Sequence, residues 1–236
     1  MNLILFDDQD RVARGRVVLE GRRARHLEEV LRCRRGDVLR VGYLGNGLGR
    51  GLVVAMTPGR VELEVKITQP APPPLPVSLL LALPRPKVLR RTLAAALTLG
   101  VKEVYLFHAC RVEKSYWQSP FLGPEKLHEL SLLALEQAGD TVVPEIHLRK
   151  RFRPFVEDEV SHLASGRRSW FLHPDGTGRK PGFRPATPAL IAIGPEGGFV
   201  PFELELLAAA GLRPLSLGPR ILRVEQVVPA ILGRFL

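Results

Sequence analysis

The chain has 236 residues, 45% of them hydrophobic and 25% charged, an ordinary globular composition with enough apolar content for a buried core. No apolar run is long enough to cross a bilayer, the opening "MNLILFDDQD" turns acidic too soon for a signal peptide, and the two isolated cysteines, Cys33 and Cys110, fit neither a disulfide framework nor a zinc pattern. These features predict a cytoplasmic protein without a structural metal, while the formal net charge of +10 points to a polyanionic partner.

Residues 11 to 60 hold twelve arginines against four acids. A block that dense suits nucleic acid, and arginine can both grip phosphate bidentately and stack on bases, which suits RNA. In the same stretch, short Val- and Leu-rich segments ("RGRVVLEG", "GDVLRVGYLG", "GRGLVVAM", "GRVELEVKI") are broken by glycine at short intervals. That is the pattern of a small β-barrel or sandwich over residues 1–70. One helical pattern, "ARHLEEVLRCRRGD", interrupts it, with Leu27, Val30 and Leu31 at i, i+3, i+4 and Gly36 as its stop. Arg22, Arg23, Arg25, Arg32, Arg34 and Arg35 crowd this motif and are the candidate RNA-backbone contacts.

"QPAPPPLP" (69–76) predicts a stiff, extended linker. Beyond it, over 77–236, strands and helices alternate. The predicted strands are 77–83, 103–109, 169–173, 189–194 and 213–218. The predicted helices are 87–100, 124–139, 201–211 and 227–236, the last starting near Val227 or Val228 with Pro229 in its first turn. Such alternation implies an α/β domain with a mainly parallel sheet covered on both faces. The final segment, "VVPAILGRFL", is apolar nearly all round, which is wrong for an exposed C-terminal helix and predicts burial.

In parallel sheets ligands bind beyond the carboxyl ends of the strands. Three predicted strands end there in Gly- and Pro-bearing loops: "LHPDGTG", "IGPEGGF" and "LGPRILR". None is a nucleotide-phosphate loop, a dinucleotide fingerprint or a nucleophile elbow. The composition favours an adenosine-type or other small polar molecule gripped by backbone groups.

"IGPEGGF" followed by "LGPRILRVE", together with "HLEEVLRCRRGD", "LGVKEV" and "EQAGDTVVPEI", closely resembles the SPOUT-class RNA methyltransferases, and within them the ribosomal RNA small-subunit methyltransferase E family. The resemblance implies S-adenosylmethionine-dependent methylation of N3 of a uridine in 16S ribosomal RNA. It also implies a PUA-like N-terminal barrel, a C-terminal trefoil knot and a homodimer. By the same resemblance the cofactor is held by Leu172, His173, Ile193, Gly194, Glu196, Gly197, Leu217, Gly218, Ile221 and Leu222. The chain departs from the family pattern at Thr98, Asp140, Val200, Gln226 and Val227. Methyl transfer to N3 needs the negative charge on the deprotonated ring stabilised, so Arg223 and Arg220 are the candidate catalytic guanidiniums, with Glu225 as a possible orienter of Arg223. Two other readings stay open: an RNA-binding protein of this fold without activity, and a methyltransferase acting on another RNA base.

Overall fold

A computed structural model describes residues 3–174 and 187–236. It divides into two compact units: Met1–Pro73 with Leu132–Val143, and Pro74–Ser131 with Pro144–Leu236.

The first unit contains β1 (Ile4–Phe6), β2 (Arg11–Ala13), β3 (Arg16–Glu20), α1 (Gly21–Arg25), β4 (Val38–Tyr43), β5 (Gly47–Thr57) and β6 (Arg60–Pro70). They form one sheet in the order β1-β4-β5-β6-β3-β2, antiparallel except where β1 lies parallel to β4. The expected barrel is not closed: β1 and β2 are the two edges of an open sheet. Each is only three residues long, and β2 shifts register against β3, so neither offers an edge that could complete a ring. β5 and β6 run together through two bulges. Gly49 is required at the first, because a Cβ there would stand 2.0 Å from Lys66 O.

Alternation along "LILF" sends its side chains to two cores. Ile4 and Phe6 join Val17, Leu19, Leu27, Val41, Val53, Val61 and Leu63, while Leu3 and Leu5 pack with Leu48 and Leu135. The second core corrects the expected boundary. Leu132–Val143, placed by the sequence wholly in the C-terminal domain, belongs to the N-terminal unit. Asp140, a departure from the family pattern, is buried there and accepts from the N–H groups of Thr141 (2.6 Å) and Val142 (3.0 Å).

The helical motif also differs from expectation. α1 begins at Gly21 and runs into a wider turn, His26–Val30, in which Leu31 N–H reaches back to His26 O. The wider turn shifts the phase of the stripe, so Leu27 is buried while Val30 and Leu31 are 63% and 44% exposed. The turn stops at Arg32, whose φ is +51°, before Gly36 is reached.

The second unit contains β7 (Val77–Ala82), α2 (Pro86–Thr98), β8 (Glu103–Phe107), α3 (Pro124–Ala138, whose last residues belong to the first unit), β9 (Glu145–Arg149), α4 (Phe152–Pro154), α5 (Ser161–Ala164), β10 (Arg168–Leu172), β11 (Ala189–Ile193), α6 (Pro201–Ala209), β12 (Arg213–Leu215) and α7 (Val224–Leu232). Every strand pairing is parallel, in the order β12-β10-β11-β7-β8-β9. β7 and β11 are buried at every position, as continuous apolar runs in a two-sided parallel sheet should be.

α7 starts at Val224, three residues before the expected Val227, and Pro229 lies in its interior. Gln226 accompanies the early start: from the third helical position its Oε1 accepts from Arg223 N–H at 3.2 Å, the reach-back half of a capping box. α7 packs on α2 and buries Val224, Val228, Ile231 and Leu232, so much of its apolar surface is covered within one chain.

Candidate active site

β12, β10 and β11 are adjacent in the sheet, so their carboxyl ends bring three loops together. After β11, Gly198 N–H donates to Pro195 O at 2.8 Å and closes the tight turn of "GPEGG", with Gly198 at φ +72°. After β12, the Ser216 hydroxyl lies 3.2 Å from Pro174 O and accepts from Gly218 N–H at 3.3 Å. His173 N–H donates to Leu215 O at 3.0 Å, binding the β10 and β12 loops. Most of "LHPDGTG", from Asp175 on, lies outside the described residues.

These loops enclose a cavity of about 590 Å³. Leu172, His173, Ile193, Gly194, Glu196, Gly197, Leu217, Gly218, Ile221 and Leu222 all line it, as do Arg220 and Arg223. Ile221 nevertheless turns outward and is 87% exposed. Glu225 does not line the cavity; it faces Arg91 at 3.7 Å rather than orienting Arg223.

Two contributors escaped the sequence. Arg111, from the loop after β8, lines the cavity and donates through Nη1 to Gly197 O. A Cβ on Gly197 would stand 3.0 Å from Arg111 Cδ, so the glycine makes room for the arginine stem. No periodic pattern marks Arg111. Glu203, 2% exposed, accepts from Val200 N–H (2.9 Å) and from Cys110 N–H (2.7 Å). It caps α6, where Val200 lacks a capping hydroxyl, and fixes the residue beside Arg111. Its position three after Val200 is a capping-box spacing and was readable in "VPFE".

In the same loop, His108 Nδ1 accepts from Trp117 Nε1 at 3.0 Å, a bond that needs the unprotonated nitrogen. Burial holds His108 below its ordinary value of 6.5; Lys114 pushes the same way and Glu203 opposes. The folded chain therefore keeps the ring neutral where the unfolded chain would bind a proton. The contribution is complete above about pH 6.5 and is lost as pH falls through the lower folded value. Melting temperature should decline as pH falls from about 7 towards 5. His108→Asn should flatten that part of the decline in a scanning-calorimetry series.

The basic motif of the first unit divides into two sets. Arg22 pairs bidentately with buried Glu136 (2.7 and 3.0 Å), and Arg23 pairs bidentately with Asp10 (2.6 and 2.7 Å). Those two guanidiniums hold the fold, because removing either leaves a carboxylate with little access to water. Arg25, Arg32, Arg34 and Arg35 are exposed.

Residues 71–235 match the family described as RNA methyltransferase domain. The chain is 30% identical to the ribosomal RNA small subunit methyltransferase E of Treponema pallidum, over 98% of this chain and 88% of that protein. It is 27% identical to the protein of that name from Synechocystis, over 91% and 70%. Among solved structures, a Legionella pneumophila protein with bound S-adenosylmethionine superposes with a TM-score of 0.79 at 22% identity, covering 99% of this chain and 96% of that one. A Neisseria gonorrhoeae ribosomal RNA small subunit methyltransferase E, also with the cofactor bound, gives 0.77 at 21% identity, over 98% and 95%. At these identities the structural likeness speaks for the fold.

Proposed function

This chain belongs to the ribosomal RNA small subunit methyltransferase E family, and on that footing we propose that it methylates N3 of a uridine in 16S ribosomal RNA with S-adenosylmethionine as the donor. The observation that carries this reading is the three-loop cavity at the carboxyl ends of β10, β11 and β12. Its volume of about 590 Å³ suits a nucleoside-sized ligand. Its walls pair apolar Leu172, Leu217 and Leu222 with turn backbone, the combination that covers an adenine's faces and reads its edge. At Gly194, which also lines the cavity, a Cβ would stand 3.1 Å from the Phe199 ring, so this close approach of turn and ring favours glycine.

S-adenosylmethionine, when bound, supplies an electrophilic methyl group on a sulfonium. The chain's residues must do the rest. Uridine N3 is a poor nucleophile while protonated, and its anion spreads charge onto O2 and O4. Arg223, on the rim of the cavity, supplies a guanidinium for that charge, with Arg220 the next candidate. A guanidinium offers only donors and no acceptor; on this reading the N3 proton is released to solvent water before the lone pair takes the methyl group.

Arg25, Arg32, Arg34 and Arg35 are proposed to hold RNA phosphates on a PUA-like first unit. The C-terminal unit is read as a trefoil knot and the active form as a cytoplasmic homodimer, supported by family membership and by the residual apolar surface of α7. Light scattering at micromolar concentration should give twice the chain mass; a monomer would remove the dimer from this reading. The cavity favours an enzyme over a pure RNA binder. Calorimetry tests that choice: S-adenosylmethionine should bind with measurable heat and raise the melting temperature, and the absence of both would leave only an RNA-binding protein.

A further inference from the structure

The deprotonated uracil carries its charge on two carbonyl oxygens, one on each side of N3. One guanidinium serves one oxygen. Beside Arg220 and Arg223 the cavity has a third guanidinium, carried by a different loop of the sheet. Arg111 follows β8, whereas Arg220 and Arg223 follow β12. Its stem lies against Gly197, its Nη1 donates to Gly197 O, and its neighbour Cys110 is tied through N–H to buried Glu203. The backbone beside it and the guanidinium itself are thus both anchored, and one carbonyl leaves the fork with donors to spare. A donor anchored before the reaction needs no reorganisation as charge develops, which is the arrangement that stabilises an anion best.

We propose that Arg111 is a second charge-stabilising catalytic residue, acting on the uracil oxygen that Arg223 does not reach. This rests on the N3-uridine reading above. Because N3 loses its proton to solvent before transfer, a cation at either oxygen increases the fraction of anion at a given pH. Arg111→Ala should therefore move the alkaline rise of the single-turnover rate to higher pH. The loss, about 100-fold at neutral pH, should shrink as pH increases. RNA carrying 5-fluorouridine at the target, whose N3 is more acidic, should recover much of the lost rate. S-adenosylmethionine affinity by calorimetry should change far less than the rate, no more than about twofold, because the "GPEGG" turn is also closed by its own backbone bond from Gly198 N–H to Pro195 O.

The alternative is a clamp that merely holds "GPEGG". In that case Arg111→Ala weakens cofactor binding, the rate falls equally at every pH, 5-fluorouridine rescues nothing, and Arg111→Lys restores cofactor affinity. That outcome overturns the proposal and leaves the uridine reading intact. A wild-type protein that forms no N3-methyluridine overturns both.

Discussion

Gly194→Val should weaken S-adenosylmethionine binding about 100-fold, or about 2.8 kcal/mol, with the chain still folded. A single Cβ at this position would already stand 3.1 to 3.4 Å from three atoms of the Phe199 ring. Phe199 cannot retreat freely. It is 5% exposed and stacks on Phe107 at 6.3 Å between centroids, and Phe107 in turn meets Phe152 and Phe155. The branched methyls must therefore enter the cavity or push the "GPEGG" turn out of place. Calorimetric titration measures the effect, and circular dichroism checks the fold. Gly194→Ala should give a smaller loss in the same direction. Unchanged affinity in the valine variant would mean that the cofactor is held somewhere other than this cavity.

Arg223→Ala should reduce single-turnover methylation about 100-fold while leaving cofactor and RNA affinity within about threefold. The residue lines the cavity, yet its guanidinium is not tied to Glu225, which faces Arg91 instead. Its backbone caps α7 through Gln226, and alanine keeps that backbone bond. The substitution thus removes the charge and spares the scaffold. Rapid-quench measurement of methyl transfer at saturating enzyme separates this from a binding defect. A normal rate would pass the role to Arg220, which lines the same cavity from the same loop.

The C-terminal architecture was legible because parallel strands buried on both faces are written as unbroken apolar runs. "VSLLLAL" and "ALIAI" cannot be mistaken for amphipathic helix, and "IGPEGGF" marks its own turn. The edge strand β9 escaped notice because "EIHLR" is only partly covered and mixes charge with apolar residues. The start of α7, where a side chain within the helix bonds the backbone before it, was misplaced, whereas α6, with the same kind of bond from Glu203, was placed correctly at Pro201. Pro229 looked like a first-turn residue, but α7 already starts at Val224, with Gln226 reaching back to Arg223 N–H. The N-terminal unit was harder to read, because Leu132 and Leu135, distant in sequence, complete one of its cores. The same segment changes the meaning of the arginine block. Composition counts Arg22 and Arg25 alike, yet Arg22 reaches a buried carboxylate at position 136 and Arg25 lies exposed. The cavity residues contributed by consecutive loops were visible in the chain, whereas Arg111 was not, since only the fold brings the β8 loop against Gly197.

The most direct test of the account is the identity of the methylated nucleoside. Small-subunit ribosomal RNA lacking the modification should be treated with the protein and S-adenosylmethionine carrying a deuterated methyl group, digested to nucleosides, and analysed by mass spectrometry. The account predicts label in N3-methyluridine, at no more than one residue per RNA molecule. Label in a different methylated nucleoside, or no label from a protein that binds the cofactor, would contradict it.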